Sequence, residues 1–381
     1  LINKFVMPEV IFGRGSLRQV GESCLRLGAK KVLIVSDPGV IEAGWLEQVI
    51  ESCRGTGLLY ACFQEITTNP KDYEAEKGAA FYKEQECDAI IGIGGGSVID
   101  IAKAVAILAT NGGRISDYEG VDRIEVPLPP LVMAGTTAGS GSEVSQFSVI
   151  VNTVSKKKMT IVSKSLVPDI AIIDPETLAT KSAHLTASTG LDVLTHAIEA
   201  FVSIAATPMT DVHAKNAIKL VAENLRPSVA SKLNSEAKEN MAMASLQAGL
   251  AFSNAILGAV HAMSHSIGGR YPMLHGDVNA VLLPIVMEFN LLAAPRKFQE
   301  IAALLGENIE GLSASEAGRK AIEYVKELSL DIGAPQRLSE MGFEEEMIGA
   351  ISELALNDAC MITNPRDITA SDVEALLRKA L

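Results

Sequence analysis

Three shortages bound what this chain can be. It has five cysteines, Cys24, Cys53, Cys62, Cys87 and Cys360, an odd number with no Cys-x-x-Cys pair. That excludes a disulfide framework and a thiolate metal site, and points to a reducing cytoplasm. Positive charge is also scarce: 33 Lys and Arg stand against 46 Asp and Glu, a formal net charge of −13. A field of that sign repels nucleic acid and anionic lipid, and the only basic run, Lys156-Lys157-Lys158, is too short to reverse it. No apolar stretch approaches the roughly 18 residues of a membrane span. The opening Leu-Ile-Asn-Lys-Phe-Val lacks the hydrophobic core of a secretion signal, and its non-Met start suggests that a residue or two is missing at the front. The expectation is a soluble cytoplasmic protein with small-molecule partners, and no nucleic acid or membrane among them.

What is present is a well-filled globular chain. Its 381 residues, 48% of them hydrophobic and 21% charged, exceed the roughly 250 to 300 that one core accommodates, so two domains are expected. In the first half, apolar runs at 10–12, 31–36, 58–63, 89–93 and 131–134 read as strands. Helix-length segments near 43–53, 72–86 and 97–110 separate the later ones. This alternation predicts an α/β domain with a mostly parallel sheet. Residues 147–151 and 159–162 flank the basic turn and read as a hairpin, and 168–175 as a last buried strand. Beyond Glu176 strand signals nearly vanish, and helical spacing through 211–224, 236–252, 295–305, 313–328, 344–356 and 370–381 predicts an all-α domain. The division is placed as 1–178 and 179–381, the two halves sharing a cleft.

Four of the six histidines fall in two neighbouring stretches, Thr189-Gly-Leu-Asp192-Val-Leu-Thr-His196 and His261-Ala-Met-Ser-His265, the second followed by His275. Asp192 and His196, and again His261 and His265, are four apart and share a helix face. His275 follows a break at Gly268, Gly269 and Pro272, and enters from a loop or a helix start. Three such elements can converge imidazoles and a carboxylate on one divalent cation. His184 and His213 have no partner at ligand spacing. Glu199, one turn beyond His196, reads as a solvated helix charge, with orientation of a ligand as the other reading.

Ala89-Ile-Ile-Gly-Ile-Gly94-Gly95-Gly96-Ser97-Val-Ile-Asp100 runs from an apolar strand into a helix expected from Ser97. Its glycines allow a bulky anion to approach, and the helix start aims bare amides at a pyrophosphate. A second loop, Gly135-Thr136-Thr137-Ala-Gly139-Ser140-Gly141-Ser142-Glu143, also follows a strand and is expected to open a helix. Two such loops at strand ends suit a dinucleotide, and Asp37, ending the 31–36 strand, can accept from ribose hydroxyls. Its charge favours NAD over NADP.

These motifs, with Asn364-Pro365-Arg366 near the end, resemble the iron-containing (group III) alcohol dehydrogenase family over essentially the whole chain. The resemblance implies a dehydroquinate synthase-like architecture in which Asp192, His196, His261 and His275 hold a catalytic divalent metal. Fe(II) is the first choice, with Zn(II) or Mn(II) as alternatives. It further implies NAD contacts from Asp37, Asn69, Gly95, Gly96, Ser97, Thr136, Thr137 and Lys158, with Gly94 and Asp100 in the same motif, and pocket walls from Phe252 and Cys360. Phe147, in the segment expected to face substrate, is an aromatic wall that favours a small primary alcohol over a polyol. The implied activity is NAD-linked interconversion of small primary alcohols or diols with aldehydes. His265 relays a proton beside Asp192 and His196, and the enzyme forms a homodimer or higher homo-oligomer. The alternatives are a glycerol dehydrogenase-like polyol enzyme and a dehydroquinate synthase-like lyase acting on a sugar phosphate. The lyase would need basic residues near the metal, and the segments 189–200 and 258–280 hold only Arg270.

Overall fold

A computed structural model describes residues 4–381. The chain folds as two units, one spanning Val6–Thr180 and the other Lys181–Leu381. Phe5 belongs with the second, its ring stacked 5.4 Å from the imidazole of His213.

The first unit is α/β. Its strands are β1 Glu9–Phe12, β2 Lys31–Val35, β3 Leu59–Phe63, β4 Ala89–Gly94, β5 Gly120–Val121, β6 Leu131–Gly135, β7 Phe147–Asn152, β8 Lys157–Val162 and β9 Ile170–Ile173. Its helices are α1 Val20–Arg26, α2 Pro38–Glu42, α3 Trp45–Gly55, α4 Asp72–Glu84 and α5 Gly96–Thr110. Among the described residues, six strands make one fully parallel sheet in the order β1-β9-β6-β4-β2-β3. The central strands read Lys-Val-Leu-Ile-Val, Ala-Ile-Ile-Gly-Ile-Gly, Leu-Val-Met-Ala-Gly and Ile-Ala-Ile-Ile and are almost wholly buried, as strands covered on both faces must be. The α5 helix is apolar around most of its circumference because it too is covered on both sides. Val98, Ile101 and Val105 join one core with Ile90 and Met133 of the sheet and with Ile150, Met159 and Ile161 of the β7–β8 hairpin.

β2 and β4 are neighbours, yet β2 runs on to β3 on one side and β4 to β6 on the other. That reversal opens a crevice at their carboxyl ends, the usual place for a nucleotide on such a sheet. Asp37 and Gly95 stand at those two ends.

The second unit is helical, with α6 Ala183–Val202, α7 Pro208–Ala230, α8 Ser235–Ala255, α9 Ala259–Gly268, α10 His275–Asn290, α11 Pro295–Leu304, α12 Ala314–Asp331, α13 Ile348–Leu356 and α14 Ala370–Ala380. The α6 helix is its buried axis, packed on α7, α8 and α10 and buried almost without break from Ala187 to Val202. No single described helix is long and apolar enough to cross a membrane.

One expected helix is absent. After the second glycine-rich loop the chain makes only a short 3-10 turn, Ser142–Val144, before entering β7. Gly141 takes a left-handed φ of 58° and Ser145 is already extended. Buried Lys103 of α5 binds the carbonyls of Ser142, Ser145 and Phe147 at 2.7, 2.6 and 2.9 Å, so these carbonyls serve an ammonium group instead of a helix ladder.

Candidate metal centre and dinucleotide loops

In the helical unit the sequence pattern becomes a cluster because three helices present short polar groups to one point. Asp192 and His196 lie on α6, His261 and His265 on α9, and His275 is the first residue of α10. The close approach of α10 to α6 depends on Gly276, where a Cβ would lie 2.1 Å from the carbonyl oxygen of Ser188. Asp192 Oδ1 is 3.6 Å from His261 Nε2, 3.8 Å from His275 Nε2 and 3.9 Å from His196 Nδ1. The His196 ring stacks between His261 and Phe252, with centroids 4.5 Å away on each side. Burial by itself would raise the pKa of Asp192, but the charges of His196 and His275 and the hydrogen bond with His261 hold its carboxyl well below the usual range. For His261 burial opposes protonation, and Asp192 and Glu199 at its two nitrogens outweigh it, pushing the ring up to about 9.

Asn279, one turn beyond His275, was not singled out from the sequence. Its Nδ2 is 2.7 Å from Asp192 Oδ1, 3.3 Å from His261 Nε2 and 3.2 Å from His275 Nε2. One amide group with two hydrogens thus faces a carboxylate oxygen and two ring nitrogens, while Asn279 Oδ1 is buried without a hydrogen-bond partner. A carboxylate oxygen and imidazole nitrogens are the donor set that borderline divalent metals select, so these residues fit such an ion. Asp192, His261 and His275 form the tighter trio, with His196 beside it.

The surrounding residues are fixed in turn. His275 Nδ1 meets Ser264 Oγ at 2.9 Å, and His265 Nδ1 meets Asp358 Oδ2 at 3.0 Å. Cys360 donates its backbone N–H to Asp358 Oδ1 at 2.8 Å, and its buried thiol is pushed well up, first by burial and then by the Asp358 charge. Glu199 is not a solvated charge. It is 3% exposed and its carboxylate turns onto the start of α9. Just before that start, Ile256 holds a φ of 60°, a strained conformation for a β-branched residue, at the bend between α8 and α9. His184 reaches Asp277 at 3.2 Å and His213 bonds Gln247, both outside the cluster. Arg270 is exposed.

The two glycine-rich loops belong to the first unit. Gly95 is the N-cap of α5, whose helix begins at Gly96, one residue before the expected Ser97. A Cβ on Gly96 would sit 2.9 Å from the Cβ of Ser140, so only glycine lets the two loops touch. Thr136 donates its N–H to the carbonyl of Gly94 at 2.9 Å, while its hydroxyl is buried without a partner. A closely apposed pair of loops, a bare helix start and an unsatisfied hydroxyl fit a diphosphate. Asp37 caps α2, its Oδ1 accepting from Val40 at 2.9 Å, and Oδ2 makes no part of that cap. Asn69 follows β3 with a φ of 54°, a left-handed turn that asparagine tolerates. Asp100 is buried. Burial raises its carboxyl to about 6 against the opposing charge of Lys103, and it accepts from Val149 and Ser142. It therefore braces the loop from beneath. Lys158 lies on β8, paired in register with Val151, its charge also acting on Asp100. Phe147 is buried at the start of β7, its carbonyl on Lys103, whereas Phe252 and Cys360 flank the histidines of the other unit.

Two family models match the chain in tandem: "Iron-containing alcohol dehydrogenase" over residues 8–175 and "Fe-containing alcohol dehydrogenase family, C-terminal" over 186–381. The chain is 45% identical to 1,3-propanediol dehydrogenase of Klebsiella pneumoniae, over 99% of its own length and 98% of the relative's. It is 42% identical to NAD-dependent methanol dehydrogenase of Bacillus methanolicus over the full length of both. Among solved structures, a 1,3-propanediol oxidoreductase superposes over the full length of both chains with a TM-score of 0.98 at 44% identity. An alcohol dehydrogenase from Oenococcus oeni does so with 0.97 at 37%.

Proposed function

The chain belongs to the iron-containing alcohol dehydrogenase family and is an oxidoreductase acting on CH–OH groups, and we propose that it interconverts small primary alcohols or diols with their aldehydes by hydride exchange with NAD at a single divalent metal. The observation that carries this reading is the convergence of Asp192 with His261, His275 and His196 around one point in the helical unit. Those four residues would hold the metal. Four protein donors leave room for substrate only at five-coordination or higher, which favours Fe(II), then Mn(II), over a tetrahedral zinc site. A divalent ion bound there supplies Lewis acidity toward the substrate oxygen.

The remaining work falls to side chains. Asn279 ties Asp192 to the two imidazoles and keeps the donors together. His265, braced by Asp358, holds or passes on the hydroxyl proton. Phe252, stacked on His196, and Cys360, beside His265, form an apolar wall suited to a short carbon chain. Gly94, Gly95, Gly96, Ser97, Thr136 and Thr137 receive the diphosphate, Asp37 the ribose, and Asn69 and Lys158 lie at its margins. The named activities of the two relatives, one toward 1,3-propanediol and one toward methanol with NAD, support the small substrate and the cofactor. A homodimer or higher homo-oligomer in the cytoplasm completes the proposal.

The test is NAD reduction by the anaerobically iron-reconstituted protein with C2 to C4 alcohols and diols, beside a chelator-treated control. Turnover abolished by chelation and restored by Fe(II) supports the reading. Absence of turnover with every alcohol and diol at full metal occupancy would overturn it.

A further inference from the structure

Glu199 stands where two demands meet. Its Oε1 accepts from Val260 N at 2.7 Å, and its Oε2 accepts from Gly258 N at 3.1 Å and His261 N at 3.4 Å. The same Oε2 lies 2.7 Å from His261 Nδ1. The α9 helix has no cap of its own, since its N-cap residue is Gly258. A carboxylate from α6 takes that role, aided by Asn364, whose Oδ1 accepts from Ala259 at 3.3 Å. Both Glu199 and His261 are buried, their side chains 3% and 1% exposed, and a Cβ on Gly258 would lie 2.9 Å from Glu199 Oε1. Little space remains for the carboxylate to turn elsewhere.

We propose that Glu199 is a positioning residue for the metal, acting through His261: it accepts the hydrogen bond from Nδ1–H and leaves Nε2 as the nitrogen that presents its lone pair beside Asp192. The inference rests on the metal reading of Asp192, His196, His261 and His275. An imidazole has two nitrogens, and the one that binds a metal is decided by what the other is bonded to. Here Nδ1 faces an acceptor-only carboxylate, so Nδ1 keeps its hydrogen, and the ring's other edge points toward Asp192 Oδ1 at 3.6 Å. The same carboxylate fixes the backbone of residues 258–261, so ring tautomer and ring position are set by one group.

Glu199→Gln tests this with nearly unchanged volume. A carboxamide carries one acceptor oxygen and one donor NH2, so it sets a donor against the Nδ1–H of His261 or against the N–H of Val260, and in either case the capped ring is no longer held as in the parent. Zn(II) serves as a diamagnetic probe. Competition with a chelator should show Zn(II) affinity roughly 10- to 100-fold weaker in the variant. In the zinc-loaded parent, proton NMR should show a low-field ring N–H at His261 Nδ1, assigned by its absence from His261→Gln, and this resonance should vanish or move upfield in Glu199→Gln. Zinc affinity within threefold of the parent would overturn the proposal, as would a zinc-loaded parent without that low-field proton. The second observation does not depend on Glu199→Gln and decides the matter if that variant does not fold. A parent that turns over no alcohol, with a variant that still loses zinc affinity, would sink the functional reading and leave this one standing. The converse would sink only this one.

Discussion

His265 and Asp358 are joined at 3.0 Å across 93 positions of sequence, Nδ1 to Oδ2, linking α9 to the turn that carries Cys360. The bond fixes the ring of the one clustered histidine outside the proposed donor set of Asp192, His196, His261 and His275, and it leaves Nε2 to exchange a proton. His265→Ala should therefore retain metal and lose turnover by about 10²- to 10⁴-fold, the usual range for a lost proton-transfer group. Metal content and kcat are measured together. Metal lost as completely as from a ligand variant would move His265 into the donor set.

His261→Ala should lose both metal and activity, because it removes one donor and strands Glu199 without the ring it faces. The stranded carboxylate should also lower the stability of the metal-free protein by about 1 to 3 kcal/mol. Elemental analysis and urea unfolding of the chelated protein check the two effects separately. Full metal occupancy would strike His261 from the ligands.

If Asp37 accepts from the ribose as proposed, Asp37→Gly should narrow a preference for NAD over NADP, since the same carboxylate would repel a 2′-phosphate. Its cost in stability should be small, a few tenths of a kcal/mol, because glycine is a tolerable N-cap for α2. The ratio of kcat/KM for the two cofactors is the measurement, and an unchanged ratio would place Asp37 away from the ribose.

The buried Asp100 carboxyl gives a pH dependence whose sign is fixed. Its folded value of about 6, raised by burial against the pull of Lys103, lies above the roughly 3.9 of an unfolded aspartate. The folded state thus holds the proton longer across pH 4 to 6. This group's favourable contribution is whole below about pH 4 and is lost as the pH rises through 6. Asp100→Asn should gain stability relative to the parent between pH 4 and pH 7, read from denaturant midpoints at four pH values. A flat difference across that range would show that the carboxyl is ionised throughout.

The elements with short-range causes were legible in the sequence. Apolar strands such as 89–93, helices such as 97–110, and the four-residue spacing of Asp192 with His196 and His261 with His265 are local patterns, and the structure places them as expected. The groups that complete the sites were not legible in this way. Glu199 meets His261 from 62 positions away, Asn279 meets Asp192 from 87, and Lys103 gathers carbonyls about 40 positions downstream. Each looks like an ordinary helix polar residue until its partner arrives. Lys103 also explains the missing helix after Ser142, since a helical pattern cannot reveal that a buried ammonium will claim its carbonyls. The glutamate was misjudged for the same reason: exposure depends on what packs above a helix face.

The proposed metal donors, from Asp192 to His275, and the Asp358 brace lie in the helical unit, and the glycine-rich loops lie in Val6–Thr180. Synthesis runs from the amino terminus, so residues Val6–Thr180 are joined before the first of these donors, Asp192, is added. The donor cluster stays incomplete until His275 has emerged, and His265 lacks its brace until Asp358 follows. If these residues hold the metal as proposed, its capture is a late event in the life of each new molecule, and a shortage of metal during growth would leave chains with a finished first unit and an empty helical one.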